Sequence, residues 1–471
     1  MTYRPTIGLE VHAELKTESK MFCGCKNQPH DGAPNTHICP VCLAHPGTLP
    51  VPNEEAIAKV LQFGKAVEAT VAEYSEFDRK NYFYPDIPKA YQISQYAYPF
   101  LIGGTLADVA LTRVHLEEDT ARNQHDQGEG SLVDFNRAGV PLMELVTEPV
   151  IHDEKSAGHF AKELQLLLRT LGISNAQMER GEMRVEANIS VSKDEKTLGT
   201  KVEVKNLNSF KSVEAAIRYE VERQTAVLER GDEVKQETRG WDEVKLKTFS
   251  QRSKETAKDY RYFPDPDIPK IAVTQHPQFS ESLLAENLPK LPSFKRTFYK
   301  NLGLPHEVIE QLISDPEVDS FLQTVVDTKS SSDTIIKLAV NYLLTDIAAL
   351  RLGKGALLSD LKPDHLLELM TMLEKGDLSS RAAKDLLIDL FAPNAKDPRT
   401  LATEKGILQK SSKGELQTTV EEIITANPAV VDEYRSGKDS ALQFLIGQGM
   451  KVTKGAANPN ILRELLIERL K

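Results

Sequence analysis

Two segments of the chain alternate apolar and polar residues, and this pattern constrains the fold more than any other feature. In Ile7–Leu15 and in Met183–Val191 every second residue is apolar. Because successive side chains of a strand point to opposite faces, each segment predicts a strand with one face on a core. Half-apolar strands are typical of antiparallel or mixed sheets, since buried parallel strands have continuous apolar runs. The opposite, polar faces carry Glu10, His12, Glu14, Arg184, Glu186, Asn188 and Ser190.

The length of the chain and a change in its pattern predict the domain organisation. With 471 residues, the chain is about three times as long as a typical domain. After the Pro-rich segment Asn287–Ser293 the apolar residues recur at helical spacing, and Pro363 and Asn458–Pro459 mark helix starts. We therefore expect an α+β protein with a largely antiparallel-sheet domain at 1–292, a helical domain at 293–405 and a helical tail at 406–471.

The charge and hydropathy of the chain exclude two classes of protein. It has 58 Lys and Arg against 69 Asp and Glu, a net charge of −11, which argues against a protein that coats nucleic acid through its overall charge. A local basic surface remains compatible with that balance. No stretch approaches the roughly 18 apolar residues of a membrane span, and the start of the chain has no apolar signal core. We expect a cytoplasmic protein without membrane contact.

The cysteines are confined to one short region. All four lie between positions 23 and 42, in a C-x-C and a C-x-x-C pair: Cys23, Cys25, Cys39 and Cys42. Two such knuckles can supply four thiolates to one tetrahedral Zn²⁺. Free thiols and a redox pair are the alternatives, and a pair of disulfides is the poorer interpretation for a reducing compartment. A closed four-sulfur site leaves no open position for catalysis, so this zinc would be structural.

The sequence lacks the common phosphate-binding glycine loops, so a nucleotide would have to be bound through a metal held by carboxylates. Glu10 and His12 share a strand face, and Glu144 interrupts an apolar run. Carboxylates with one imidazole fit Mg²⁺ or Mn²⁺ better than zinc. The ordinary alternative is a solvated strand face, a half-buried histidine and a Glu144 that pairs with Arg137.

A third acidic candidate is the triplet Glu117–Asp119, which follows His115. Alternation alone does not decide which of these acidic residues belongs to a site. Val114 and Leu116 share the phase of Glu118, so His115, Glu117 and Asp119 form the nominal polar face.

Aromatic residues alternate with cations in Arg79–Tyr96, which includes Lys80 and Lys89. Such a mixture can stack bases while the cations meet phosphate, although aromatic clusters also form the corners of cores. A second mixed stretch, Lys245–Arg261, leads into Tyr260 and Tyr262. A solvated loop is its alternative interpretation.

Seven motifs of the sequence are specific when taken together: Ile7–His12, Phe77–Asp86, Lys89–Gln95, His115–Asp119, Val133–Leu142, Val204–Phe210 and Asp259–Pro264. They resemble the GatB family, the B subunits of bacterial tRNA-dependent amidotransferases. The end of the chain, with Gly447–Gln448 and Lys454–Pro459, resembles the helical YqeY-type tail of that family. The resemblance covers essentially the whole chain.

The resemblance implies a glutamine-synthetase-like catalytic domain that uses ATP and Mg²⁺, besides the structural Zn²⁺. Such a protein phosphorylates the side-chain carboxylate of Glu-tRNA(Gln) or Asp-tRNA(Asn), and ammonia then replaces the phosphate. The ammonia would be channelled from the amidase, or A, subunit, in a heterotrimer that also contains the small C subunit. Two other functions stay open from the residues alone, namely a noncatalytic zinc-stapled tRNA-binding adaptor and a free-standing metal hydrolase.

The resemblance also implies site residues. The metal and kinase positions of the family match His12, Glu118 and Glu144, with Glu10 adjacent on the same strand face. Further polar positions at or leading to that site correspond to Lys80, Glu186 and Asp267. In the tail, the segment from Lys438 onward has six basic and three acidic residues, and we predict a tRNA contact at Lys451 and Lys454.

Overall fold

The protein is described here by a computed structural model. It describes residues 3–124, 130–194, 196–253, 259–327, 332–409, 413–453 and 457–470. The chain divides into two compact units, Met1–Phe294 and Lys295–Lys471. The first is rich in β-sheet and the second is helical, which confirms the predicted α+β class. The finer division of the helical part at residue 405 stays a prediction.

The first unit contains the strands, most of which form one ten-stranded sheet. The strands are β1 (Arg4–Glu14), β2 (Thr70–Val71), β3 (Asp78–Asn81), β4 (Tyr91–Ser94), β5 (Leu101–Ile102), β6 (Thr105–Leu106), β7 (Val109–Glu118), β8 (Arg122–Gln124), β9 (Leu132–Asp134), β10 (Pro141–Thr147), β11 (Met183–Ser192), β12 (Val202–Leu207), β13 (Glu237–Asp242), β14 (Lys247–Ser253) and β15 (Phe263–Pro264).

The large sheet has the order β14-β13-β12-β11-β1-β10-β7-β5-β2, and β6 also pairs with β7. Its pairs are antiparallel except for β12 with β13. The two segments with alternating residues form β1 and β11, which pair with each other near the middle of the sheet. The strands β15, β3 and β4 form a smaller sheet, and β8 pairs with β9.

Helices α1 (Glu54–Ala66), α2 (Glu154–Thr170), α3 (Phe210–Glu229) and α4 (Glu281–Glu286) belong to the first unit. The Asp153 side chain accepts a hydrogen bond from the Ser156 N–H and so caps the start of α2. The apolar residues of α2 and α3 share a core with the apolar face of the sheet, where Leu9, Phe160 and Val213 are fully buried. One face of the central strands is therefore committed to the core, which leaves the other for polar side chains.

From Pro292, just before the end of the first unit, the chain forms short helices, several of which begin at proline. They are α5 (Pro292–Asn301), α6 (His306–Ser314), α7 (Pro316–Asp327), α8 (Asp333–Tyr342), α9 (Ala348–Lys354), α10 (Pro363–Glu374), α11 (Ser380–Leu390), α12 (Pro398–Glu404), α13 (Lys413–Ala426), α14 (Pro428–Arg435), α15 (Asp439–Val452) and α16 (Pro459–Leu470). A π-helical turn, Leu343–Ile347, joins α8 to α9. The predicted helix starts at Pro363 and Pro459 are confirmed.

The last four helices share an apolar core of their own, which includes Leu445 and Leu466. Gly449 lets α15 approach its neighbours closely. A Cβ at this position would lie 2.9 Å from Leu462 Cδ1 and 3.2 Å from Ile423 Cδ1. Within the described ranges, no helix has both the length and the apolar content that a membrane span requires.

Candidate functional site

Four polar side chains stand in one row across four neighbouring strands. Arg184 on β11 is paired with His12 on β1, His12 with Glu144 on β10, and Glu144 with His115 on β7. This row is on the face of the sheet opposite the apolar core, because it has the other phase of the alternation. The sheet register therefore brings together residues that are up to 172 positions apart in the sequence.

The side chains of this row meet around the Glu144 carboxylate. His12 Nε2 and His115 Nε2 each lie 3.3 Å from Glu144 Oε2. His12 Nε2 is also 3.6 Å from Glu117 Oε1 and 3.9 Å from Glu10 Oε1. Glu10, His12 and Glu144 form one group of nearby ligand atoms, and His115, Glu117 and Glu144 form a second. We call these five residues the Glu144 cluster.

The Glu144 cluster concentrates charge in a buried place. Burial alone would raise the pKa of Glu144, but the His115 and His12 imidazoles hold it well below its usual range. Burial would lower the pKa of each histidine, yet the neighbouring carboxylates, Glu144 and then Glu117, together raise the pKa of both to about 9. The cluster is therefore a set of strongly interacting acids and bases.

Negative charge is in excess at one end of the cluster. Burial, together with the charges of Glu144 and Glu186, raises the pKa of Glu10 to about 7. The buried Nδ1 atom of His115 has no hydrogen-bond partner within the described part of the chain. Carboxylate oxygens together with imidazole nitrogens are a ligand set that fits a divalent cation such as Mg²⁺ or Mn²⁺.

A third group of carboxylates adjoins Glu10 on the same face. Glu10, Glu186 and Glu203 bring oxygen atoms within 4.8 Å of one another. Lys205 Nζ donates a 2.5 Å hydrogen bond to Glu186 Oε2 and lies 3.8 Å from Glu203 Oε1. The predicted residue Glu186 is thus next to the Glu144 cluster, and an ammonium group partly neutralises its surroundings.

The structure does not bring Glu118 to the cluster. Lys89 Nζ donates to Glu118 Oε2 at 2.6 Å, and the Ile93 N–H donates to Glu118 Oε1 at 3.0 Å. Since alternate residues of a strand face opposite sides, His115 and Glu117 point to the polar face and Glu118 points away from it. The resemblance assigned Glu118 to the metal, whereas the position that contacts His12 is held by Glu117.

The two remaining predicted residues, Lys80 and Asp267, have different surroundings. Lys80 lies on β3, and its pKa is affected by the charges of Glu117 and Glu144. Asp267 Oδ2 accepts a 2.9 Å hydrogen bond from Arg79 Nη2. Asp267 and Arg79 line a pocket of about 320 Å³ together with the cysteine region, and the other lining residues include Cys23, Cys42, Lys89 and Glu118.

The four cysteines meet as their spacing predicts. Their sulfur atoms all lie within 4.8 Å of one another, so they form a candidate metal site. A hydrogen bond from the Cys23 thiol is the largest effect that lowers the pKa of Cys42, to about 4, and a thiolate is the form that binds metal. Lys20 Nζ lies 3.8 Å from Cys42 Sγ. The set of four sulfur ligands fits a structural zinc ion.

Comparison with known sequences decides the family. A model of the GatB/GatE catalytic domain matches residues 5–278, which is more than half of the chain and includes the Glu144 cluster. The chain belongs to the GatB family. A second model, of the GatB domain that includes the YqeY part, matches residues 320–470.

Full-length relatives carry the same assignment. Proteins named as the B subunit of aspartyl/glutamyl-tRNA(Asn/Gln) amidotransferase are similar to this chain over nearly its whole length. The one from Thermus thermophilus is 44% identical over 99% of both chains. The relative from Gloeothece citriformis is 42% identical over 99% of this chain and 98% of its own, and that from Carboxydothermus hydrogenoformans is 40% identical over 99% of both.

The sequence did not identify every residue of this GatB-family site. Alternation places His115 and Glu117 on the polar face of β7. The family resemblance, however, implies Glu118 as the acidic metal ligand. Lys205 lies in Val204–Phe210, one of the motifs that resemble the family, and no other feature of the sequence indicates that it belongs to the site. In the tail, Lys451 is exposed near the end of α15, and Lys454 lies outside the described residues.

Proposed function

We propose that this chain is the ATP-using component of a tRNA-dependent amidotransferase. It phosphorylates the side-chain carboxylate of misacylated Glu-tRNA(Gln), Asp-tRNA(Asn) or both, and the activated acyl group is then amidated. The observation that carries this proposal is the Glu144 cluster, a set of carboxylates and imidazoles on a rigid sheet face. The substrates are those in the names of the relatives.

Mg²⁺ would suit the Glu144 cluster, in which Glu10, His12 and Glu144 form one candidate ligand group and His115, Glu117 and Glu144 form the other. When bound there, Mg²⁺ would neutralise the charge of the nucleotide phosphates. Glu118, which the resemblance assigned to this ligand set, is left out of it because its carboxylate is bound to Lys89. Glu186 stays as a neighbouring group whose charge affects that of Glu10.

In this reaction the protein residues position the substrates and neutralise the charge of the phosphates. They supply no nucleophile. Lys80 brings a positive charge close to Glu117 and Glu144, where it would attract phosphate oxygens. One carboxylate oxygen of the substrate attacks the γ-phosphorus of ATP, and ADP leaves. Ammonia then attacks the acyl carbon of the mixed anhydride, and phosphate leaves with the former carboxylate oxygen.

The proposal implies partners. Ammonia would come through a channel from the amidase, or A, subunit in a heterotrimer with the small C subunit, and charged tRNA would bind in part through the tail. We place the assembly in the cytoplasm, with zinc as a structural ion at the four cysteines.

The proposal is tested with the complete amidotransferase, given Glu-tRNA, ATP and ammonium but no glutamine. We expect Glu144→Gln and His12→Ala to lower Gln-tRNA formation about 100-fold or more, because each removes a group of the cluster. Glu222→Gln, at an exposed position of α3, is the matched control and should keep the wild-type rate.

The outcome separates the proposal from its alternatives. Wild-type rates in both cluster variants would contradict the kinase function and favour the noncatalytic adaptor. If the isolated chain had full hydrolytic activity without tRNA or partner subunits, the metal hydrolase would be favoured.

A further inference from the structure

Four tyrosines form a continuous aromatic surface beside the Glu144 cluster. They are Tyr82, Tyr96, Tyr260 and Tyr262, which we call the tyrosine wall. The rings of Tyr96 and Tyr262 are stacked, with centroids 4.6 Å apart and planes at 15°. Tyr262 meets Tyr260 edge to face at 6.1 Å, and Tyr260 meets Tyr82 in the same way at 5.8 Å. The wall unites residues of the two mixed aromatic and basic segments.

The tyrosine wall is not part of the apolar core. The core has its own aromatic cluster, in which Phe22, Phe77 and Phe100 pack edge to face and are at most 4% exposed. Tyr96, in contrast, is 51% exposed, and the other three rings of the wall are partly exposed. Aromatic rings that keep solvent-accessible faces are suited to stack on a ligand.

Lys80 connects the wall with the Glu144 cluster. Its Nζ atom lies 4.9 Å from the centroid of Tyr260 and 5.8 Å from that of Tyr82. Burial works to lower the pKa of Lys80, but its interactions with Tyr262, Glu117, Tyr82 and Glu144 together raise the pKa well above the ordinary value. Its strand, β3, pairs with β4, and Ser94 of β4 donates a 3.1 Å hydrogen bond from Oγ to Glu117 Oε2. Lys80 is therefore a cation on the aromatic surface, in a small sheet that contacts the acidic cluster.

The nearly parallel rings of Tyr96 and Tyr262, in an aromatic surface that also holds a cation, suit a nucleobase that is joined to phosphate. In the proposed reaction two substrates end in such a group, and both carry adenine: ATP, and the 3′-terminal adenosine that carries the aminoacyl group. We propose that the tyrosine wall binds an adenine ring by stacking, with Lys80 directed at the phosphate attached to it. This inference rests on the proposed function, since that function brings adenine to this side of the cluster.

The chain offers a matched control pair. Tyr74 and Tyr98 also lie ring to ring, with centroids 4.8 Å apart, and Lys270 Nζ lies 5.4 Å from the Tyr74 centroid. Lys270 is paired there with Glu76 at 3.1 Å rather than placed beside the cluster. Tyr74→Ala therefore removes an exposed tyrosine from the same kind of arrangement without touching the wall.

The binding test uses two fluorescent probes on the complete amidotransferase without turnover. One is Glu-tRNA in which 2-aminopurine replaces the terminal adenine, and the other is the 2-aminopurine analogue of ATP. Stacking on tyrosine quenches this base. We expect one probe to be quenched on binding, with the quenching relieved in Tyr96→Ala and Tyr262→Ala and retained in Tyr74→Ala. The probe that responds identifies the source of the adenine.

A kinetic arm checks the same inference. The matching substrate should show a KM raised about tenfold in Tyr262→Ala, within the range found when one stacking residue is removed, and Tyr262→Phe should restore it because the ring is kept. Equal fluorescence of both probes in wild type and wall variants would overturn the proposal. The fluorescence assay needs no phosphorylation, so that result would leave the kinase proposal standing. Quenching that depends on the wall, in an enzyme that forms no Gln-tRNA, would instead support the tyrosine wall and contradict the kinase proposal.

Discussion

His12 and Glu144 lie directly opposite each other on β1 and β10, with Nε2 of the imidazole 3.3 Å from Oε2 of the carboxylate. Both residues are on long antiparallel strands near the middle of the ten-stranded sheet. Their separation is therefore fixed by backbone register rather than by a loop. A site built in this way is preorganised, as the tight geometry of phosphoryl transfer requires.

Glu117 and Glu118 are adjacent in sequence and face opposite sides of β7, so they make a sharp comparison. We expect Glu117→Gln to weaken binding of Mn²⁺, used as a spectroscopic substitute for Mg²⁺, about tenfold or more, because it removes a carboxylate beside His12. Glu118→Gln should leave Mn²⁺ affinity unchanged, since its carboxylate is bound to Lys89. Electron paramagnetic resonance titration of the two variants measures both affinities.

The reverse order of the two affinities would contradict this assignment. It would return Glu118 to the metal, as the family resemblance implies, and would show that Lys89 releases it on metal binding.

The cysteine cluster predicts one tightly held zinc per chain. Elemental analysis of the purified protein should find it, and Cys39→Ser should lose the metal and unfold at a lower temperature, because a structural zinc contributes directly to folding. Mn²⁺ binding at the Glu144 cluster provides the control for an intact sheet. Absence of zinc from the wild-type protein would leave four unexplained thiols and reject this interpretation.

The tail prediction concerns the salt dependence of tRNA binding. Replacing Lys451 and Lys454 by Gln should reduce affinity and lower the slope of log K against log salt by about 0.7 to 0.9 per lysine, the effect of one lost phosphate contact. Lys375→Gln, at an exposed position of α10's C-terminal end, should change neither quantity. An unaltered slope in the double variant would place the tRNA contacts elsewhere.

Much of the fold follows from local pattern. Alternation identified β1 and β11 and assigned each side chain to a face, since that period is a property of the strand itself. Proline at helix starts predicted α10 and α16 because its fixed backbone angle suits the first helical turn. The cysteines could be grouped because they are the only ones in the chain and lie within 20 positions.

The assembly of the site could not be predicted in the same way. Alternation does not specify which strands pair, so nothing local places His115 of β7 beside Glu144 of β10, or Lys205 beside Glu186. Those contacts depend on long-range register. At Glu117 and Glu118 the alternation and the resemblance disagreed, and the structure follows the alternation, because a slip by one residue would turn Val114 and Leu116 out of the core.

The central claim is that ATP phosphorylates the substrate carboxylate within this chain, and isotope transfer tests it most directly. Glu-tRNA is prepared with oxygen-18 in both side-chain carboxylate oxygens and converted by the complete amidotransferase with ATP and ammonium. Transfer of the γ-phosphoryl group to the carboxylate predicts that each released phosphate carries one oxygen-18 atom, measured by mass spectrometry. Formation of Gln-tRNA with unlabelled phosphate would contradict the account.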